Sequence, residues 1–168
     1  MFSGKTEELI NRIKKCNKTF KVFKPITDTR NTKNKIESHN NYEIEATTIK
    51  KANEILSFKN KFDVIGIDEA QFFENDIIDV CNTLANSGCR VIIAGLDMDY
   101  SGKPFGPMPY LMAIAEQVTK VHAKCSETGE PALYSFRKID NDETIMIGEN
   151  KEYKPLSRKA FISKLKNK

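Results

Sequence analysis

The 168-residue sequence predicts an α/β fold: a parallel sheet with helices on both faces, followed by a small, mostly β lobe. Three observations carry that prediction. Two apolar runs rich in β-branched residues carry it first: FDVIGI at 62–67 reads as a buried strand and RVIIAGL at 90–96 as another fully apolar strand, and each is followed by an acid. Segments with helical spacing alternate with strand-like runs, as a parallel sheet with crossover helices requires. Beyond residue 123 the pattern changes to short strands separated by turns, which suits an antiparallel appended lobe.

Residues 1–6 read MFSGKT. Gly4-Lys5-Thr6 is the tail of G-x-x-x-x-G-K-[ST], the phosphate-binding loop (P-loop). In such a loop, backbone N–H groups cradle phosphates, the lysine reaches the β and γ oxygens, and the threonine hydroxyl ligates Mg²⁺. The first glycine of the loop and the strand feeding it would lie upstream of Met1. The helix that the loop must open is supplied by EELINRIKKC at 7–16, where Leu9, Ile10 and Ile13 make an apolar stripe. TFKVFK at 19–24 alternates and reads as a strand that Pro25 ends. Residues 26–41 are polar and rich in Asn, Thr and Lys, so a loop is expected. Within it, Asp28-Thr29-Arg30 and Ser38-His39 could reach a phosphate, or the loop could simply be solvated. Residues 42–47 suit a short strand, and 49–58 have helical spacing.

The run at 62–67 ends on Asp68 and Glu69. Ligands of open α/β sheets bind beyond the carboxyl ends of the strands, although Asp and Glu also cap helices. The GKT segment favours the ligand reading, because in P-loop enzymes an Asp at such a strand end holds the magnesium. NDIIDVCNTLA at 75–85 places Ile77, Ile78, Val80, Cys81 and Leu84 on a helix that Gly88 stops. DMDYSGKPFGPMP at 97–109 is a loop framed by Gly102, Pro104, Gly106, Pro107 and Pro109. Its Tyr100 and Phe105 suit stacking on a flat ring, or a small apolar cluster of a surface turn. A short helix is expected at 111–116 and a strand at 118–123. In the lobe, 125–129 reads as a turn, ALYSFR at 132–137 and TIMI at 144–147 as strands, and 148–157 as a loop carrying one aromatic, Tyr153. The tail from Arg158 is basic and amphipathic.

Composition sets bounds on the function. Charged residues make up 30% and hydrophobic ones 39%, ordinary for a soluble globular domain. No apolar run approaches the ~20 residues that span a bilayer. No signal peptide is visible ahead of the loop motif, so a cytoplasmic location is expected. The net charge of +4 sits largely in lysine-rich segments without interleaved aromatics. A solvated face or nucleotide phosphates explain those segments more cheaply than nucleic acid does. The four cysteines, Cys16, Cys81, Cys89 and Cys125, form no C-x-x-C pair, so neither a disulfide framework nor a closed zinc site is expected.

MFSGKTEELINR, FKPITDTR, VIGIDEAQFF and AGLDMDYSGKPFGPMP, in this order and spacing, resemble the cytosolic-type (type II) thymidine kinase family, shortened at the amino terminus. The resemblance covers residues 1 to about 158, and DEAQFF and KPFG are specific to that family. It implies an ATP- and Mg²⁺-dependent transfer of the γ-phosphate to the 5′-hydroxyl of thymidine, in the salvage of precursors for DNA synthesis. It also implies a homotetramer, feedback by dTTP, a P-loop domain at 1–123, a lobe bearing a lasso loop at 124–158 and a basic tail at 159–168. Carried over by position, Met1, Phe2, Ser3, Gly4, Lys5 and Thr6 match the phosphate loop, and Asp28 and Arg30 a segment near the phosphates. Asp68 matches the magnesium-associated acid, with Thr6 as the second magnesium ligand. Glu69 matches the catalytic base, and Ala70 and Gln71 complete that segment. Phe72, Leu96, Tyr100 and Phe105 match the nucleoside pocket. Thr144, Ile145, Met146, Ile147, Gly148 and Tyr153 match the lasso that covers the thymine. Family members often hold zinc in the lobe with two C-x-x-C pairs. Here those positions are Cys125, Thr128, Ser157 and Ala160, and one thiolate cannot hold a structural zinc, so zinc is expected to be absent. Two other readings stand beside the kinase: a non-catalytic nucleoside- or nucleotide-binding relative with an incomplete phosphate loop, and a basic nucleic-acid-binding protein.

Overall fold

The computed structural model describes residues 2–27, 35–37, 42–138 and 152–166. Helix α1, Lys5–Lys15, starts after Gly4, carries Glu7 and Glu8 in its first turn and Arg12, Lys14 and Lys15 in its last, and so complements its own dipole. Strand β1, Phe20–Pro25, follows. Strands β2, Lys35–Glu37, and β3, Glu43–Glu45, pair as an antiparallel hairpin. Next come β4, Thr47–Ile49, a 3₁₀ helix at Ala52–Phe58, β5, Val64–Ile67, and a 3₁₀ turn at Ala70–Phe72. Helix α2, Asp76–Asn86, leads to β6, Arg90–Ile93, and helix α3 spans Met108–Ile114.

The main sheet is parallel, in the order β4-β1-β5-β6. Its alternation shows directly in the burial. Val22, Val64 and Ile92 face α1 with Leu9, Ile10 and Ile13, whereas Phe23, Ile65 and Ile67 face α2 with Ile77, Val80 and Leu84. Helices therefore cover both faces, as the sequence predicts. Gly66, at the centre, lets α1 lie close: a Cβ there would fall 2.6 Å from the Ile13 Cδ1. That close packing brings the amino-terminal turn of α1 down to the carboxyl end of β5.

Three expectations differ. The polar stretch 26–41 contains β2, whose single apolar residue Ile36 pairs across the hairpin with Ile44 and is buried beneath it, while Lys35 ion-pairs with Glu43 and Glu37. One apolar residue per strand leaves no periodicity to read. Residues 118–122 form no strand; only Ala123–Lys124 is paired (β7), and its partner is Pro131–Ala132 (β8) in the lobe. Among the described residues, 118–122 have no neighbour in the main sheet. A groove of about 620 Å³ separates them from β6, and Ser3 and Lys5 also line it. The expected loop at 148–157 contains strand β10, Tyr153–Leu156, which pairs antiparallel with β9, Tyr134–Arg137.

The lobe has its own core of Cys125, Tyr134, Phe136 and Leu156, capped by helix α4, Arg158–Lys166. Its Phe161 stacks on Tyr134 with ring centroids 4.3 Å apart. Phe2 and Met98 pack against this core from the other part of the chain. Among the described residues, no helix is long and apolar enough to cross a membrane.

Candidate active site

Lys5 and Thr6 stand in the first turn of α1, and Asp68 and Glu69 follow β5. The backbone pins the strand end from both sides. Asp68 N–H donates to Phe23 O at 2.9 Å, Ala94 N–H to Ile67 O at 2.8 Å, and Ala70 N–H to Ala94 O at 3.0 Å. The Thr6 hydroxyl donates to Asp68 Oδ2 at 3.0 Å. Asp68 and Glu69 are both buried, at 4% and 8% exposure. Burial, and then the Glu69 charge, push the Asp68 carboxyl up to about 7, against the opposing pull of Lys5 and the Thr6 hydroxyl. Burial of the Asp68 carboxyl beside Glu69 makes this a place that a cation would favour. A hydroxyl and a carboxylate oxygen are the hard donors that Mg²⁺ takes. Among the described residues no group of three His, Cys, Asp or Glu could cage a metal. A Mg²⁺ held by Thr6 and Asp68 would therefore complete its shell with water and substrate phosphates.

Glu69 adopts a left-handed backbone conformation, φ 52°, uncommon for a residue with a side chain. Its N–H donates to Asp68 Oδ1 at 3.0 Å. The Gln71 amide donates through Nε2 to Glu69 Oε2, while its Oε1 accepts from Leu96 N–H at 2.9 Å. Gln71 thus ties the Glu69 carboxylate to the backbone just past β6. The loop beyond is fixed by its own hydrogen bonds. Asp99 Oδ1 accepts from Ser101 N–H, the Ser101 hydroxyl and Lys103 N–H, at 2.7–3.0 Å. Gly106 then lies against Gln71: a Cβ at 106 would sit 2.4 Å from the Gln71 carbonyl oxygen. Phe105 meets Phe72 edge to face, with centroids 5.7 Å apart. Asp97, the acid after the second apolar run, ion-pairs with Lys120 at 3.0 Å.

Tyr100 rises from this loop beneath the Arg137 guanidinium, 3.4 Å from its ring centroid. Burial raises the Tyr153 hydroxyl above its ordinary value, and Arg137, directly opposite it across β9 and β10, pulls against that rise. Sequence reasoning singled out both tyrosines but not the arginine that joins them. Arginine in an alternating strand carries no mark of burial until its partner loop is placed. Nor did it assign the bridging role of Gln71.

The structure therefore brings together Lys5, Thr6, Asp68, Glu69, Ala70 and Gln71, with Phe72, Leu96 and Phe105 on the adjoining loop and turn. Ser3 lines the groove beside β6, and Phe2 packs on the lobe. Met1, Asp28, Arg30, Thr144, Ile145, Met146, Ile147 and Gly148 lie outside the described residues, as do Thr29, Ser38 and His39. The four positions where relatives were expected to bind zinc also meet. The Thr128 hydroxyl hydrogen-bonds that of Ser157 at 3.4 Å, and Cys125 and Ala160 share the lobe core. Burial opposes ionisation of the Cys125 thiol, but the Thr128 hydroxyl and backbone N–H groups of Ser157, Glu127 and Thr128 outweigh it and bring the thiol down to about 6.

A family model described as "Thymidine kinase" matches residues 1–161. A thymidine kinase of Bacteroides thetaiotaomicron is 51% identical over 165 residues, covering 96% of this chain and 83% of that protein. One from Porphyromonas gingivalis is 48% identical over 164 residues, 96% of this chain and 80% of that protein. One from Rhodothermus sp. is 45% identical over 164 residues, 96% of this chain and 77% of that protein.

Proposed function

The chain belongs to the thymidine kinase family, and on that premise we propose that it transfers the γ-phosphoryl group of ATP to the 5′-hydroxyl of thymidine, giving dTMP and ADP. The observation that carries the reading is the meeting of Thr6, Asp68 and Glu69 where the first turn of α1 reaches the end of β5. Phosphoryl transfer needs positioning and charge neutralisation more than covalent help. Lys5 and the N–H groups at the start of α1 bind the phosphates. Thr6 and Asp68 would hold Mg²⁺, which when bound neutralises charge on the β and γ oxygens. Glu69 accepts the proton of the 5′-hydroxyl, and Gln71 holds its carboxylate towards the acceptor. Phe72, Leu96, Tyr100, Phe105 and Tyr153 wall the nucleoside, with 144–148 covering the thymine edge and Asp28 and Arg30 serving the phosphates.

The proposal extends to a cytoplasmic homotetramer, inhibited by dTTP, that salvages thymidine without zinc, membrane or nucleic acid as partner. The zinc statement rests on Thr128, Ser157 and Ala160 standing where thiolates would be needed. Purified protein incubated with thymidine and γ-labelled ATP should produce labelled dTMP, in a reaction that needs Mg²⁺. Binding of thymidine without label transfer would overturn the kinase reading in favour of a non-catalytic relative.

A further inference from the structure

Arg137 is a charged side chain only 4% exposed. Its guanidinium covers the Tyr100 ring at 3.4 Å, and Tyr153 stands directly opposite it across β9 and β10. The two rings belong to different parts of the fold. Tyr100 sits on the loop that follows β6, and Tyr153 opens β10 of the lobe. The Tyr100 loop is fixed at its other end to the catalytic strand end, through Gly106 against Gln71 and Phe105 against Phe72. A buried cation therefore joins the lobe to the loop that carries the base-orienting contacts, beside the packing of Met98 on the lobe core.

We propose that Arg137 is a positioning residue for the nucleoside site, holding Tyr100 and Tyr153 at a fixed separation and angle so that they receive the nucleoside as a preformed pair. The proposal rests on the reading of those two tyrosines as walls of that site. The chemistry favours arginine here. A planar guanidinium can stack flat on one ring while its in-plane N–H groups donate to a hydroxyl beside it, and a lysine ammonium cannot do both. The lobe core does not need this charge, because Tyr134, Phe136, Leu156 and Phe161 close it on their own side of the strands. The effect belongs to thymidine binding, because both rings are read as walls of the nucleoside site.

The test uses the full chain. Arg137→Met should raise the KM for thymidine about tenfold, the scale of one lost buried cation–aromatic contact, with the KM for ATP unchanged. Arg137→Lys should fall between it and the parent. In a double-mutant cycle with Tyr100→Leu, the effects on thymidine KM should be strongly non-additive. If Arg137→Met does not fold, Arg137→Lys takes its place in the cycle. Tyr100→Ala and Tyr153→Phe separate the two ideas. If they leave thymidine KM unchanged, the pocket reading fails and the proposal with it. If they raise it while the arginine variants do not, or if ATP KM rises in step, the pocket stands and the positioning role is overturned.

Discussion

The Thr6 hydroxyl and the Asp68 carboxylate meet at 3.0 Å although 62 positions of sequence separate them. That bond joins the start of the first helix to the end of the central strand. Thr6→Val keeps the shape and removes the oxygen. Turnover should fall by about 100-fold or more, because the Mg²⁺ proposed at this site would lose a direct ligand, while Thr6→Ser stays close to the parent. Initial rates over a magnesium titration would check this. Equal rates for Val and Ser at saturating magnesium would show that the hydroxyl is only structural.

Glu69→Gln keeps the size and the Gln71 contact but cannot accept a proton. Turnover should drop by about 10²–10⁴-fold, the usual worth of a general base, with thymidine affinity nearly intact. Steady-state kinetics beside calorimetric titration with thymidine would separate the two quantities. Near-parental turnover would remove Glu69 from the role of base.

The Asp68 carboxyl, ordinarily near 3.8, is held at about 7 first by burial and then by Glu69. A raised acid adds stability that is fully present below the unfolded value and is lost as the pH rises through the folded one. In the ligand-free protein that window runs from about 4 to about 7. Asp68→Asn should therefore match the parent near pH 4 and become progressively the more heat-stable of the two towards pH 8. Magnesium with nucleotide should protect the parent and not the variant. Melting curves at four or five pH values would test this, and a difference that does not change with pH would contradict it.

Gly106→Ala should destabilise the protein by about 1–3 kcal/mol, since φ is +50° and the new Cβ would meet the Gln71 carbonyl oxygen at 2.4 Å. Gln71 must move to relieve the contact, so turnover should fall more than thymidine affinity does. Denaturant unfolding together with kinetics would check both. A variant with parental stability would mean that the loop yields more easily than its hydrogen bonds suggest.

The central layers were legible because their signals are local. The stripe Leu9, Ile10, Ile13 and the runs ending in Asp68 and Asp97 each announce an element without reference to the rest of the chain. The acid pair was legible for the same reason, as two carboxylates at the end of an apolar strand. What stayed hidden depends on partners distant in sequence. The β2–β3 hairpin rests on one buried isoleucine per strand and an ion pair across it. Residues 118–122 have the composition of a strand but pair with no other strand among the described residues; Thr119 and Lys120 are held by the side chains of Arg12 and Asp97 instead. Arg137 lies in a plainly alternating strand, yet nothing in ALYSFR says that its guanidinium will stack on a ring 37 positions earlier.

Glu69 is held in a backbone region that glycine or asparagine enters freely, and its charge stands next to a second buried carboxylate. Both features work against the folded state, the backbone alone by about 1–3 kcal/mol. Selection for heat resistance and selection for turnover therefore pull this one position in opposite directions. A laboratory library screened only for survival at high temperature would enrich Glu69→Gly and Glu69→Asn, and with Glu69 as the proposed base its most durable members would be its poorest kinases.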